Sequence, residues 1–307
     1  MFCPFCLQNT HQNPCTTCKN TLSNLYMESQ KKLGGTPKAI LSTVGFSGHG
    51  KTVFLASLLH ELDTTLPSLW PNYYRLALNQ EAVNTLKQNL SILTRGDLPE
   101  STRRNFPAPS IHQLNNIAQI GNRVLIAYDP PGEAFESDEL IESYAHFVRG
   151  SPTVIFIISL KDLAEPRGEE AYRLLNNYLL GMARLGAKTR NQHLIVTFTK
   201  ADQLLAELER YPLVLQHLAT PAENQVRRPK DYLKQLKLVS AELEKFTLQD
   251  LRAQNFINLV RARNNFKSYQ FCAVSALGSA PENGHLASNF QPKRVVDPLI
   301  WVLDKAG

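Results

Sequence analysis

The sequence predicts an α/β fold: a mostly parallel sheet with helices on both faces, a small cysteine-rich knuckle in front of it, and helical insertions. Three observations carry that expectation. Short apolar runs rich in β-branched residues alternate with longer runs of helical period through residues 38–277, the order that gives parallel strands joined by crossover helices. A glycine-rich octapeptide, GFSGHGKT at 45–52, stands between the first such strand and the first such helix. Four of the five cysteines fall within the first eighteen residues.

The knuckle comes first in the chain. Cys3 and Cys6 form one CxxC, Cys15 and Cys18 a second, with eight residues between them. Each CxxC sets two sulfurs on one tight turn, and two facing turns supply four tetrahedral ligands for Zn²⁺. Disulfides fit poorly, because MFCPFCLQNT has no basic region leading into an apolar stretch and so does not read as an export signal. Four sulfurs leave the ion no open position, so the expected role is structural. His11 lies between the pairs as an alternative ligand, and Cys272, in YQFCAVS, reads as core. The expected boundaries are a knuckle over 1–24, a polar linker over 25–37 and a main domain over 38–307.

The main domain opens on KAILSTVG, a strand-like run, and continues past Lys51 with Val53, Leu55, Leu58, Leu59 and Leu62 at helical spacing. Gly45 through Thr52 therefore match GxxxxGKT in its proper strand–loop–helix context. The glycines let the backbone of Gly45, Ser47, Gly48, His49 and Gly50 curl so that successive N–H groups face phosphate oxygens. Lys51 reaches the β and γ phosphates, and Thr52 offers its hydroxyl to Mg²⁺. A second apolar strand, 122–128, runs into Asp129-Pro130-Pro131-Gly132-Glu133. A carboxylate at Asp129 can hold Mg²⁺ through water, and the Gly132 N–H can meet the γ-phosphate. Later come a buried strand at 154–160, a helix over 169–186 and a strand at 193–199 ending in Thr199-Lys200-Ala201-Asp202.

Taken in order, GFSGHGKT, DPPG, TKAD and Ser275-Ala276-Leu277 resemble the motif set of the Ras-like or translation-factor class of P-loop GTPases, across residues 38–277. The resemblance implies GTP or GDP and Mg²⁺ as ligands. It implies guanine recognition by Asp202, ring stacking on the stem of Lys200, and a backbone N–H at Ala276 facing guanine O6. A carboxylate accepts from guanine N1–H and its amine together, a donor pair that adenine lacks. Thr199, where the family more often has asparagine, keeps a hydroxyl that can bond toward the phosphate loop. The helical stretch 79–93, a G-x-x-P-x-x-T pattern after it and the proline-started run 295–305 are similar to a set of bacterial GTPases tied to multi-component signalling or conflict systems.

That pattern makes Thr102 the expected switch threonine on Mg²⁺ and the γ-phosphate, with Thr94 second. Glu133 replaces the glutamine that orients water in many members; it accepts a hydrogen bond from water but cannot donate as an amide does. Arg95, Arg103 and Arg104 lie close by in the chain and can bring charge to the γ-phosphate. Lys51, Thr102 and Glu133 are thus the expected catalytic set.

Two further stretches, about 72–93 and 204–265, exceed a minimal domain and read as helical insertions with a candidate partner surface. Net charge is +6, reduced to about +4 by a four-thiolate zinc site. So small an excess argues against a nucleic-acid ligand. With no run near the length of a membrane span, the expected location is cytoplasmic, with peripheral membrane attachment through a partner left open. The function expected is a GTP-hydrolysing switch acting through unidentified protein partners. The alternatives are an assembly scaffold with little hydrolysis and an RNA- or ribosome-associated GTPase.

Overall fold

The computed structural model describes residues 1–99, 108–160, 168–220, 226–282, 285–286 and 289–306, apart from the side chains at 33 and 80–82. Strands β1 (Lys38–Val44), β2 (Tyr74–Ala77), β3 (Ser110–Ile117), β4 (Gly121–Tyr128), β5 (Thr153–Ser159), β6 (His193–Thr199) and β7 (Ser268–Ala273) form one sheet in the order β2-β3-β4-β1-β5-β6-β7. From β4 to β7 all neighbours are parallel. β3 runs antiparallel to β4, and β2 antiparallel to β3. The parallel strands are buried nearly throughout, as strands covered on both faces must be.

Helices α1 (Asn24–Leu33), α2 (Lys51–Asp63), α3 (Thr65–Leu69), α4 (Gln80–Thr94), α5 (Asp138–Tyr144), α6 (Glu169–Arg184), α7 (Pro212–Ala219), α8 (Pro229–Gln249), α9 (Gln254–Arg261) and α10 (Asp297–Lys305) accompany the sheet, with short 3-10 turns and a two-stranded pairing of 281–282 with 285–286. Alternation along β1 divides the core. Ala39 and Leu41 join Phe54, Trp70 and Trp301 from α2, the end of α3 and α10. Ile40 and Val44 join Phe135, Phe147, Tyr178 and Phe256 on the other face. The expected helices 79–93, 169–186 and 295–305 correspond to α4, α6 and α10. The stretch 204–265 carries α7, α8 and α9, broken at 250–253.

The stretch 72–93, expected as a helical insertion, opens with strand β2 at Tyr74–Ala77 before α4 begins. Two further elements depart from the sequence reading. α1, Asn24–Leu33, lies almost wholly within the expected linker, 25–37. Ser23 caps it by accepting from the Tyr26 N–H at 3.2 Å. Tyr26 and Gln30, one turn apart, are buried, so the polar composition belongs to the solvent face of an amphipathic helix. The second is β3, SIHQLNNI, which carries buried His112 and Asn115 in place of an apolar run. Burial, with Arg75 and Lys87 nearby, drops the His112 pKa to about 3. Its Nδ1 lies 2.8 Å from the Arg75 guanidinium, so the neutral ring accepts there.

Candidate nucleotide site and cysteine cluster

Parallel pairing brings the loop motifs to one edge of the sheet. The carboxyl ends of β1, β4, β5, β6 and β7 lie side by side, and β1 is the point from which connections lead to both sides. Crevices at such switch points are where α/β sheets bind ligands.

The glycine-rich loop, the candidate phosphate loop, is shaped by close approach. Gly48 and Gly50 have φ of +82° and +86°, where a side chain would be strained. A Cβ on Gly45 would sit 2.5 Å from the Ile157 carbonyl oxygen. Gly50 caps α2 without a side-chain acceptor, so the opening turn presents its N–H groups toward the loop. Lys51 is 6% exposed, and its ammonium donates to the carbonyls of Gly45 (2.8 Å) and Phe46 (2.9 Å). Burial pulls its pKa down to about 8, against the opposing pull of Asp129 and Glu133. Thr52 is half-buried and Ser47 exposed.

The DPPG segment lies directly against this loop. Ser42 pairs with Tyr128 across β1 and β4, so Asp129 emerges beside the end of β1. A Cβ on Gly132 would stand 2.1 Å from the Ser47 nitrogen, closer than any side chain allows. Glu133 follows at the start of a 3-10 turn, half-buried, beside Pro131 and Leu140.

A cavity of about 500 Å³ continues from Gly48 and Gly50 to Thr199, Lys200, Asp202, Ala276 and Leu277. Lys200 has φ +58°, the left-handed region that a lysine enters only when its surroundings impose it. The Ala201 N–H donates to the Val274 carbonyl at 3.2 Å, joining the segments that follow β6 and β7. Ser57 of α2 donates to the Ala276 carbonyl at 2.6 Å. Ser275 is held by paired backbone bonds with Lys293, and its hydroxyl accepts from the Gly278 N–H at 3.0 Å.

The side chain of His49 turns away from the cavity. Its Nδ1 is 2.9 Å from the Ile157 carbonyl and its Nε2 3.5 Å from Glu170.

Sequence motifs gave no notice of Leu98, Gln203, Ser279 and Pro281 in the cavity wall. Leu98 follows a segment that is bonded to a distant one: the Leu286 N–H donates to Gly96, and His285 Nδ1 lies 2.8 Å from Asp97. No local pattern signals that pairing. Thr102, Arg103 and Arg104 lie outside the described residues. The Thr94 hydroxyl and Arg95 Nε both donate to the Ser91 carbonyl at 3.1 Å, inside their own helix end.

At the amino end the two CxxC turns repeat one geometry. Leu7 N–H donates to Cys3 and Lys19 N–H to Cys15, both at 2.9 Å, while Cys3 and Cys15 donate to Gln8 and Asn20. Leu7 and Lys19 both have positive φ. All four sulfurs lie within 4.8 Å of one another, with Cys3–Cys18 at 3.6 Å and Cys6–Cys15 at 3.8 Å. Tetrahedral thiolates about 2.3 Å from an ion stand about 3.8 Å apart, so the cluster can chelate a metal ion. Among the described residues, His11 is not part of it.

No protein-family model matches the chain. No curated protein matches it either. Among solved structures it is similar to a GTP-binding protein of Sulfolobus solfataricus in complex with GDP, at 12% identity over 92% of this chain and 57% of that one, with TM-score 0.36. It is similar to the GTPase-like domain of S. cerevisiae Ski7 bound to GTP, at 15% identity over 90% and 52%, TM-score 0.39. A third is the signal recognition particle receptor SRb-GTP/SRX complex of Chaetomium thermophilum, at 14% identity over 79% and 95%, TM-score 0.29. The chain spans little more than half the length of the first two. At these scores the functional reading rests on the residues above.

Proposed function

We propose that this chain binds GTP and GDP with Mg²⁺ and works as a hydrolysing switch. The observation that supports it most is the convergence of four motifs on one sheet edge, with Asp202 and Lys200 in the wall of a cavity that begins at the phosphate loop. Lys51 and the loop N–H groups hold the β and γ phosphates. Thr52, Asp129 and Thr102 would hold Mg²⁺, which supplies charge neutralisation on the transferring phosphoryl group. Asp202 accepts from guanine N1–H and the exocyclic amine, and Lys200 covers the ring. Glu133 accepts a hydrogen bond from the attacking water. Water adds to the γ-phosphorus as the bond to the β–γ bridging oxygen breaks, leaving GDP and phosphate.

Glutamate at position 133 also supports a second reading, in which GTP is held and hydrolysis is negligible until a partner supplies the missing donor. In either case four thiolates on Zn²⁺ would make the knuckle structural, and protein partners read the nucleotide state. A nucleotide screen on purified protein, with phosphate release followed over time, tests both. GTP and GDP binding ahead of ATP is expected, and release without a partner distinguishes the first reading from the second. Equal affinity for ATP rejects both.

A further inference from the structure

A groove of about 620 Å³ opens between the knuckle and α1, at the amino end of β1 and so at the far end of that strand from the phosphate loop. One side is apolar: Phe2 and Met27, each partly buried against the core. The other carries Gln30, Lys31 and Lys38, with Glu28 the lone carboxylate of the lining. The Lys38 ammonium stands 5.1 Å from the centre of the Phe2 ring, so cation and apolar surface are adjacent.

Gln30 is what marks the groove as a binding site. It is 9% exposed, it lines the groove, and its amide nitrogen makes no hydrogen bond within the protein. Buried donors are almost always satisfied, because leaving one unpaired costs the lost hydration. The nitrogen itself is closed off from water, so the amide must turn toward the groove to meet an acceptor there, and that bond would remove the cost. Lys38 has a related need: burial holds its pKa below that of an ordinary lysine, so a neighbouring anion is favoured there. Asn9 and Asn24 line the same groove. With Gln30 they make three amides that donate and accept, as the alternating N–H and C=O of a main chain require.

We propose that this groove binds an extended acidic–apolar segment of a partner protein. An apolar side chain lies on Phe2 and Met27, a main-chain carbonyl accepts from Gln30, and a neighbouring carboxylate meets Lys38 and Lys31. Two of the chain's three methionines are in the lining, and the pliable thioether suits a surface that must fit a peptide. The site owes nothing to the nucleotide reading and stands or falls separately from it.

The three methionines also provide the test. Full-length protein with its metal, labelled with ¹³C-methyl methionine, is titrated with acetyl-Glu-Leu-Phe-Glu-amide. The Met27 signal should shift and saturate, while Met182, 1% exposed in α6, stays put. The lysine counterpart, acetyl-Lys-Leu-Phe-Lys-amide, should bind about tenfold more weakly or worse. Lys38→Glu should reverse that order, and Gln30→Leu should weaken the acidic peptide about fivefold. If Lys38→Glu does not fold, Lys31→Glu on the exposed face makes the same test of charge. A Met27 signal that never moves, or equal response to both peptides, overturns the proposal. Saturation by hexanoate with no response to peptide also overturns it, in favour of a small-carboxylate site.

Discussion

The hydroxyl of Thr199 donates to the backbone carbonyl of His49 at 2.7 Å. It joins the last residue of β6, ahead of Lys200 and Asp202, to the middle of the glycine-rich loop 45–52. Neither residue is exposed, at 2% each, so the bond works without competition from water. Thr199→Val keeps the shape and leaves the His49 carbonyl without that donor. GTP affinity should fall about tenfold, near the net value of one buried hydrogen bond, while Thr199→Ser stays close to wild type. Calorimetric titration of the three proteins checks this, and an unchanged valine variant would mean the two loops are held by other contacts.

Lys51 should make nucleotide binding pH-dependent with a definite sign. In the free protein its pKa is about 8, and a phosphate beside it favours the charged form. Above about pH 8 the free lysine has lost the proton that the bound one keeps, so binding takes up a proton and affinity falls as pH rises. Folding carries the opposite trend. The unfolded lysine titrates near 10.5, so its burial penalty is full below the folded pKa and is relieved as pH rises between the two values. Titrations at about pH 8.5 in two buffers of different ionisation enthalpy should give different heats. Lys51→Ala should abolish the difference and most of the affinity. Buffer-independent heats in wild type would contradict the assignment.

Gly132→Ala puts a methyl group 2.1 Å from the Ser47 nitrogen, so DPPG and the phosphate loop must separate. If the Gly132 N–H meets the γ-phosphate, GTP affinity should drop about tenfold or more while GDP affinity changes little. An unchanged GTP-to-GDP ratio would show that this glycine is a packing residue only.

The cysteine knuckle shares the core of the main domain. Cys3, Cys15, Leu7 and Tyr26 belong to the cluster that contains Tyr128 and Phe147, whose rings stack at 4.3 Å. The Tyr26 hydroxyl donates to Phe2 and the Tyr128 hydroxyl to Pro4. Cys15→Ser should therefore lose the bound metal and lower the midpoint of one common unfolding transition by about 5–10 °C. Scanning calorimetry with metal analysis decides it. A main transition left in place would mean that the knuckle is a detachable module.

What the sequence made legible follows from how each element is stabilised. β1 and β6 are buried almost end to end by neighbours on both faces, so KAILSTV and HLIVTFT are built from apolar and small β-branched residues and declare themselves. The glycines of the phosphate loop are dictated by local backbone geometry, which a short motif records. β3 escaped notice because it buries polar residues: His112 is held by a non-local partner, Arg75, and the Asn115 oxygen accepts from Gln113 two residues away on the same strand. α1 escaped because the surface it covers belongs to a knuckle that only the tertiary structure brings there. Leu98 enters the cavity wall through pairing between segments almost two hundred residues apart, which no window of sequence reveals.

Asp202 carries the central claim, that the cavity reads guanine. Its carboxylate should pair with N1–H and N2–H, whereas xanthosine triphosphate has an oxygen in place of the amine. An amide can donate to that oxygen and a carboxylate cannot. Competition among GTP, XTP and ATP should therefore rank GTP first for wild type and XTP first for Asp202→Asn, with discrimination of about 1–3 kcal/mol by analogy with paired base contacts. If ATP competes as well as GTP on wild type, or the asparagine variant keeps full preference for GTP, Asp202 does not read the base and the proposed function is wrong.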